Sequence, residues 1–223
     1  TFALGTERNV VKVRKDAPLE LLGPLGCGIQ TGAGAIINTL SVSSGRSVAI
    51  FGVGSVGLSA VMAARLVNAS RIIALDVLDH RLDRALELGA TNTVNTQSEP
   101  ADEAIERIAP HGVDVALDTT AVAPLMRQAI QSLAPRGIFG FVAVPPEGEF
   151  PVDLSHLLRG GRRVRGVIQG DSKPHVFIPA LVDFYMQGRL PIDKIVTYYP
   201  FDRIDDAFGD SRAGIAVKPV LRF

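Results

Sequence analysis

Ser47-Val48-Ala49-Ile50-Phe51-Gly52-Val53-Gly54-Ser55-Val56-Gly57-Leu58-Ser59-Ala60-Val61-Met62-Ala63 is the stretch that decides the fold. It opens as a short apolar, β-branched run, turns through G-x-G-x-x-G, and continues as an amphipathic segment, Val56–Val67. Each glycine has its own task. Gly52 permits the tight turn, Gly54 lets a pyrophosphate approach the backbone, and Gly57 lets helix and strand pack closely. The helix then offers unpaired N–H groups and its positive dipole end to phosphates, which adds Ser55 and Val56 to the candidate cradle. The motif alone is weak, because glycine turns are common. Its context is specific: the next β run is followed by Asp76, 19 residues after Gly57. A carboxylate there accepts hydrogen bonds from the adenosine ribose hydroxyls and repels a 2′-phosphate, so the expected cofactor is NAD rather than NADP. Asp76 is expected at the exposed carboxyl edge of a sheet, where its loss would change cofactor choice without unfolding the chain. Arg81, five residues on, either pairs with Asp76, lies near the ribose, or is a solvated helix arginine.

Outward from this stretch, two periods alternate. Runs with strand character lie at Ser47–Phe51, Arg71–Leu75, Thr91–Asn95, Val113–Leu117, Gly137–Val142 and Val164–Ile168. Amphipathic segments at Val56–Val67, His80–Leu88, Ala101–Ile108 and Pro124–Leu133 lie between most of them. Leu82, Ala85, Leu86 and Leu88 read as one helical face, and Gly89 sits where a left-handed cap would end the helix. This alternation predicts an α/β fold, a Rossmann doubly wound parallel sheet of two mononucleotide-binding halves. The flanks read as parts of a neighbouring domain or its seams. They carry a strand at Asn9–Val13, an apolar glycine-rich stretch Leu19–Leu40 broken by Pro24, a helix Val176–Met186, the run Leu190–Tyr199, a short helix at Ile204–Phe208 and a last strand Ala216–Leu221.

Composition excludes several function classes. Lys plus Arg number 23 and Asp plus Glu number 23, so net charge gives no attraction to nucleic acid or an anionic membrane. No apolar run approaches the ~20 residues of a membrane span. The single cysteine, Cys27, rules out an internal disulfide, fits a reducing compartment and predicts a cytoplasmic protein. The start, Thr1-Phe2-Ala3-Leu4, has neither signal-peptide character nor an initiator methionine, which predicts a processed chain or one that begins inside a longer protein. A short-chain dehydrogenase needs a lysine four residues after its tyrosine. Tyr185, Tyr198 and Tyr199 are followed at that spacing by Arg189, Asp202 and Arg203.

Further motifs name a family. Pro24-Leu25-Gly26-Cys27-Gly28-Ile29-Gln30-Thr31-Gly32-Ala33-Gly34, the glycine motif 25 residues after Cys27, Leu88-Gly89-Ala90-Thr91 and Ala143-Val144-Pro145-Pro146 closely resemble the zinc-containing alcohol dehydrogenases of the medium-chain superfamily. Gly166–Lys173 and Gly214–Phe223 resemble its aryl-alcohol (benzyl alcohol) branch. The resemblance covers the whole chain and implies an NAD-dependent enzyme oxidising primary, aromatic alcohols to aldehydes. It implies that Cys27 is a catalytic zinc ligand and that Thr31 lies beside the nicotinamide. Thr119 falls on the adenosine side and Val142 behind the nicotinamide. The backbones of Val144, Val167 and Gln169 hold the carboxamide, and Lys218 stands at the pyrophosphate where the family usually has arginine. Lysine keeps the charge but lacks the bidentate fork.

Residues 1–24 then read as a remnant of the catalytic, GroES-like domain, 25–170 as the NAD-binding domain, and 171–223 as its last helix and the return to the catalytic domain. A catalytic zinc needs three protein ligands. Cys27 is one family-matched ligand, and His80, His111, His156 and His175 lack metal spacing and read as surface or loop residues. This chain alone is therefore expected to be inactive. The alternative is a stand-alone dinucleotide-binding module without catalysis. The family further implies homodimers or homotetramers built by pairing the sixth strand about a twofold axis, although Arg162, Arg163 and Arg165 could instead guard that edge.

Overall fold

The computed structural model describes residues 4–223. Six strands, β1 (Ser47–Phe51), β2 (Arg71–Asp76), β3 (Asn92–Asn95), β4 (Val113–Asp118), β5 (Leu133–Phe141) and β6 (Arg163–Gly166), form one sheet in the order β3-β2-β1-β4-β5-β6. Every neighbouring pair is parallel, as the alternation of strand and helix requires. The helices are α1 (Leu19–Leu22), α2 (Gly28–Gly34), α3 (Ser55–Leu66), α4 (Asp79–Leu88), α5 (Ala101–Ile108), α6 (Ala123–Gln131), α7 (Leu154–Gly160), α8 (Pro174–Met186) and α9 (Ile204–Arg212).

Both sheet faces are covered, so β1 is buried at every position. Its side chains alternate between two cores. Val48 and Ile50 join the core built with Ile29, Leu58, Val61, Ile178 and Leu181; Ala49 and Phe51 join the one built with Ile105, Met126 and Ile130. On α4 the predicted face holds for Leu82, Ala85 and Leu88, while Leu86 is exposed. Gly89 closes that helix at φ 122°.

The flanks depart from expectation in places. No strand forms at Asn9–Val13: a 3₁₀ turn occupies Glu7–Asn9, and the following residues pair with nothing among the described residues. A strand is a pairing, and a β-branched composition cannot supply the partner. Val11 and Val13 still pack against the core as partly buried side chains. Leu19–Leu40 is helical, with a 3₁₀ turn at Gly23–Gly26 where Pro24 falls and a π-helical turn at Ala35–Thr39. The last segment forms its own parallel pair, β7 (Val196–Pro200) and β8 (Lys218–Arg222), connected by α9. Among the described residues no helix is long and apolar enough to cross a membrane.

Candidate functional site

The carboxyl ends of the parallel strands gather the predicted residues. Gly52 follows β1, Asp76 ends β2, Thr119 follows β4, Val142 follows β5 and Val167 lies just past β6. Sheet order reverses between β1 and β4, and a crevice opens where the chain departs in opposite directions. The glycine turn is held by contact. A Cβ on Gly57 would stand 1.9 Å from the Gly52 carbonyl oxygen, and one on Gly52, at φ 82°, would stand 2.7 Å from the Thr119 hydroxyl. A Cβ on Gly54 would meet nothing within 4 Å, so the space before helix α3 is open. Leu58 N–H makes the first turn's bond, to Gly54 O, and no side chain caps the helix. The N–H groups of Ser55, Val56 and Gly57 precede it and are left for a ligand or water. Ser55, at that helix start, and Lys218 line one cavity of about 360 Å³.

A second cavity, about 320 Å³, is lined by Gly52, Gly54, Asp76, Arg81 and Thr119 together with apolar residues such as Leu75 and Leu125. Asp76 does not lie open at the edge, as the sequence suggests: it is only 7% exposed. Its Oδ2 accepts from Val53 N–H at 2.8 Å, and its Oδ1 accepts from Val77 N–H at 2.8 Å and Leu78 N–H at 3.1 Å. Two donors fill Oδ1, leaving Oδ2 with capacity for one more. Arg81 Nη1 is 3.9 Å from that oxygen, and Arg81 Nε is buried without a partner. Arg81 thus stands beside Asp76 in the same cavity and is not a fully solvated helix arginine.

Sequence reasoning named Thr119 but missed Asp118 and Thr120, which shape the loop walling this cavity. Asp118 is fully buried; it accepts from the Thr120 hydroxyl at 2.7 Å and from Thr120 and Ala121 N–H at 3.2 and 2.9 Å. Burial pushes its carboxyl above the usual range, against the pull of these hydrogen bonds. The Thr119 hydroxyl donates to Phe51 O and Gly52 O, tying the loop to the glycine turn. An acid following the strand-like run Val113–Leu117 was the available signal. A larger open depression of about 740 Å³, walled by His111, His156 and Arg162, contains none of the predicted site residues.

The remaining predicted residues line neither of the two cavities near the glycine motif. Cys27 is exposed at the start of α2, contrary to the usual burial of a lone cysteine, and Thr31 N–H donates to its carbonyl at 2.9 Å. Val142 N–H donates to Asp118 O and Val167 N–H to Phe141 O, which continues the ladder past the strand ends. Val144 is 58% exposed on a loop. Gln169 has a left-handed backbone, φ 50°. Among the described residues no three His, Cys, Asp or Glu side chains converge on a point that could hold a metal. Cys27 by itself does not fit a catalytic zinc, which needs three protein ligands.

Residues 55–186 match the family model described as zinc-binding dehydrogenase. The chain belongs to the zinc-binding dehydrogenase family. The chain is 44% identical over its whole length to the geraniol dehydrogenase of Castellaniella defragrans and covers 60% of that protein. It superposes with TM-score 0.95 on the alcohol dehydrogenase zinc-binding domain protein of Burkholderia ambifaria, at 50% identity over 97% of this chain and 59% of that one. The benzyl alcohol dehydrogenase of Acinetobacter calcoaceticus gives TM-score 0.95 at 45% identity, over 97% of this chain and 60% of that one. The chain thus spans about 60% of the length of these relatives. The family resemblance drawn from the cysteine-to-glycine spacing holds.

Proposed function

We propose that this chain is the cofactor-binding part of an NAD-dependent alcohol dehydrogenase that oxidises primary, aromatic alcohols to aldehydes in the cytoplasm. One observation carries the cofactor assignment: Asp76 ends β2 beside the glycine turn, in a cavity where Oδ2 retains one accepting direction. A ribose hydroxyl suits that direction, and a 2′-phosphate meets a fixed negative charge. NAD, when bound, supplies a hydride acceptor at C4 of its nicotinamide. The chain's own residues bind and orient it. Gly52, Gly54, Ser55, Val56 and Gly57 form the pyrophosphate cradle, with Lys218 beside it. Asp76, Arg81 and Thr119 hold the adenosine side. Thr31, Val142 and the backbones of Val144, Val167 and Gln169 form the nicotinamide end. The division into 1–24, 25–170 and 171–223 belongs to the same reading. The aromatic substrate is supported by the similarity to a benzyl alcohol dehydrogenase.

Titration of the protein with NADH and NADPH, followed by fluorescence, tests the assignment. NADH is expected to bind at least tenfold more tightly, the equivalent of about 1.4 kcal/mol. Equal affinities would remove the role given to Asp76. A module without chemistry of its own is the second reading, favoured by the lack of three converging metal ligands among the described residues.

We further propose a homodimer through β6. This strand is the sheet's edge, is exposed along its length and runs Arg163–Gly166, ending before the predicted Ile168. Arg162 turns back onto its own chain, donating to Leu133 O and His156 O, and Arg165 pairs with Asp171. Leu158 and Ile168 stand more than 80% exposed nearby in sequence. Two copies pairing β6 antiparallel would satisfy the free edge. Sedimentation equilibrium at tens of micromolar is expected to show a dimer. Val164→Pro, which removes a donor and stiffens the edge, should yield monomer; a monomeric parent protein would rule the pairing out.

A further inference from the structure

The segment after β6 adopts an unusual backbone. Gln169, Gly170 and Asp171 follow one another at φ 50°, 63° and 48°. Side chains seldom adopt this left-handed region, and two of the three residues carry one. Such a run persists only where its surroundings over-determine it, and that is most often at functional sites. Here the surroundings are helix α2 and the turn that follows it. A Cβ on Gly170 would stand 2.5 Å from Gly34 Cα and 2.7 Å from Gln30 O, so the two backbones touch. Asn38 Nδ2 donates to Gly170 O at 3.1 Å. Gln30 Nε2 donates to Gly26 O at 2.7 Å and to Gln169 Oε1 at 2.8 Å.

Gln30 is 3% exposed, and its Oε1 is buried with no partner. An orphaned buried acceptor is costly, and a leucine of similar length would fill the space without that cost. The two hydrogen bonds that the amide donates, to Gly26 O and Gln169 Oε1, offset that cost. What the amide uses is its two donors, one of them on the left-handed turn. Gln169 is exposed, and no backbone carbonyl accepts from its N–H among the described residues, so this donor is open to a ligand or water. Cys27 and Thr31 stand on the same helix as Gln30.

We infer that Gln30 is a positioning residue: its side-chain amide, through Gln169, fixes the left-handed turn that presents Gln169 N–H to the carboxamide oxygen of the nicotinamide. This rests on the dinucleotide reading above. The role is local to one end of the ligand, which separates it from a general contribution to folding. ADP-ribose has the adenosine and pyrophosphate groups and lacks the nicotinamide.

The experiment compares dissociation constants for NADH and ADP-ribose in the parent protein, Gln30→Leu, Gln169→Gly and the double variant. Gln30→Leu keeps the volume and removes both donors; Gln169→Gly removes the partner amide at an exposed position where glycine tolerates the backbone. NADH binding is expected to weaken about tenfold in each single variant, while ADP-ribose changes less than about twofold. The double variant should add little to either single one, because both break one interaction. A parallel loss of ADP-ribose affinity would mean general structural damage and overturn the inference, as would unchanged NADH binding. If Gln30→Leu does not fold, Gln169→Gly decides by the same split. A parent protein that binds neither ligand would instead overturn the dinucleotide reading itself.

Discussion

Gly57→Ala is expected to cost about 3 kcal/mol or more of stability, the upper end of overpacking, and to abolish NADH binding in the micromolar range. The added Cβ would lie 1.9 Å from Gly52 O and 2.9 Å from Gly52 C. Both are backbone atoms, so no flexible side chain can move aside, and either the turn or the whole of α3 must shift. Helix α3 has little freedom, because α2 is pressed against it: a Cβ on Gly32 would lie 2.0 Å from Val56 O. The turn must then yield, and the N–H groups at the start of α3 lose their alignment with Gly52 and Gly54. Thermal unfolding by circular dichroism and NADH titration together check this. An unchanged midpoint with unchanged affinity would show that helix and strand do not need their close approach.

Asp76→Ala is expected to lower stability and cofactor discrimination together. Truncation leaves Val53, Val77 and Leu78 N–H without their acceptor. Each orphaned donor costs about 1–3 kcal/mol when dry, and the adjoining cavity lets water soften this to a total of about 2–4 kcal/mol. It also leaves the Arg81 guanidinium without its nearest carboxylate, at 3.9 Å in the parent protein. An unpaired guanidinium favours a phosphate, so the NADH-to-NADPH affinity ratio should fall toward one. Chemical denaturation and parallel titrations with both cofactors measure the two effects. A variant as stable as its parent would mean that the three N–H groups are satisfied elsewhere; preserved discrimination would free Asp76 of the ribose role.

These two positions differ in how far the sequence reveals them. Gly57 was legible, because steric demands within a strand-turn-helix act over a few residues and leave a spaced glycine pattern. The same locality explains why Ser47–Phe51 and Ala101–Ile108 agree with the structure residue for residue. Side-chain period and helix propensity are properties of the segment itself. The position of Asp76 was equally legible, but its burial was not. That depends on the Val53 amide approaching from the glycine turn after β1, 23 residues away.

What the sequence by itself determined is the α/β alternation, the parallel sheet and the glycine-and-acid signature, since each is written in short-range sterics and periodicity. Tertiary structure alone decided the rest. Asn9–Val13 has strand composition but finds no partner among the described residues, and β6 ends at Gly166, opposite Phe141, although apolar residues continue. The Asp118–Thr120 loop takes its shape from a fully buried carboxylate. Gln30 and Gln169 meet across 139 residues, and the left-handed turn beside them exists because α2 packs against it. Hydrogen-bond partners and forced backbone angles are set by which surfaces the completed fold brings together, and no local pattern records that.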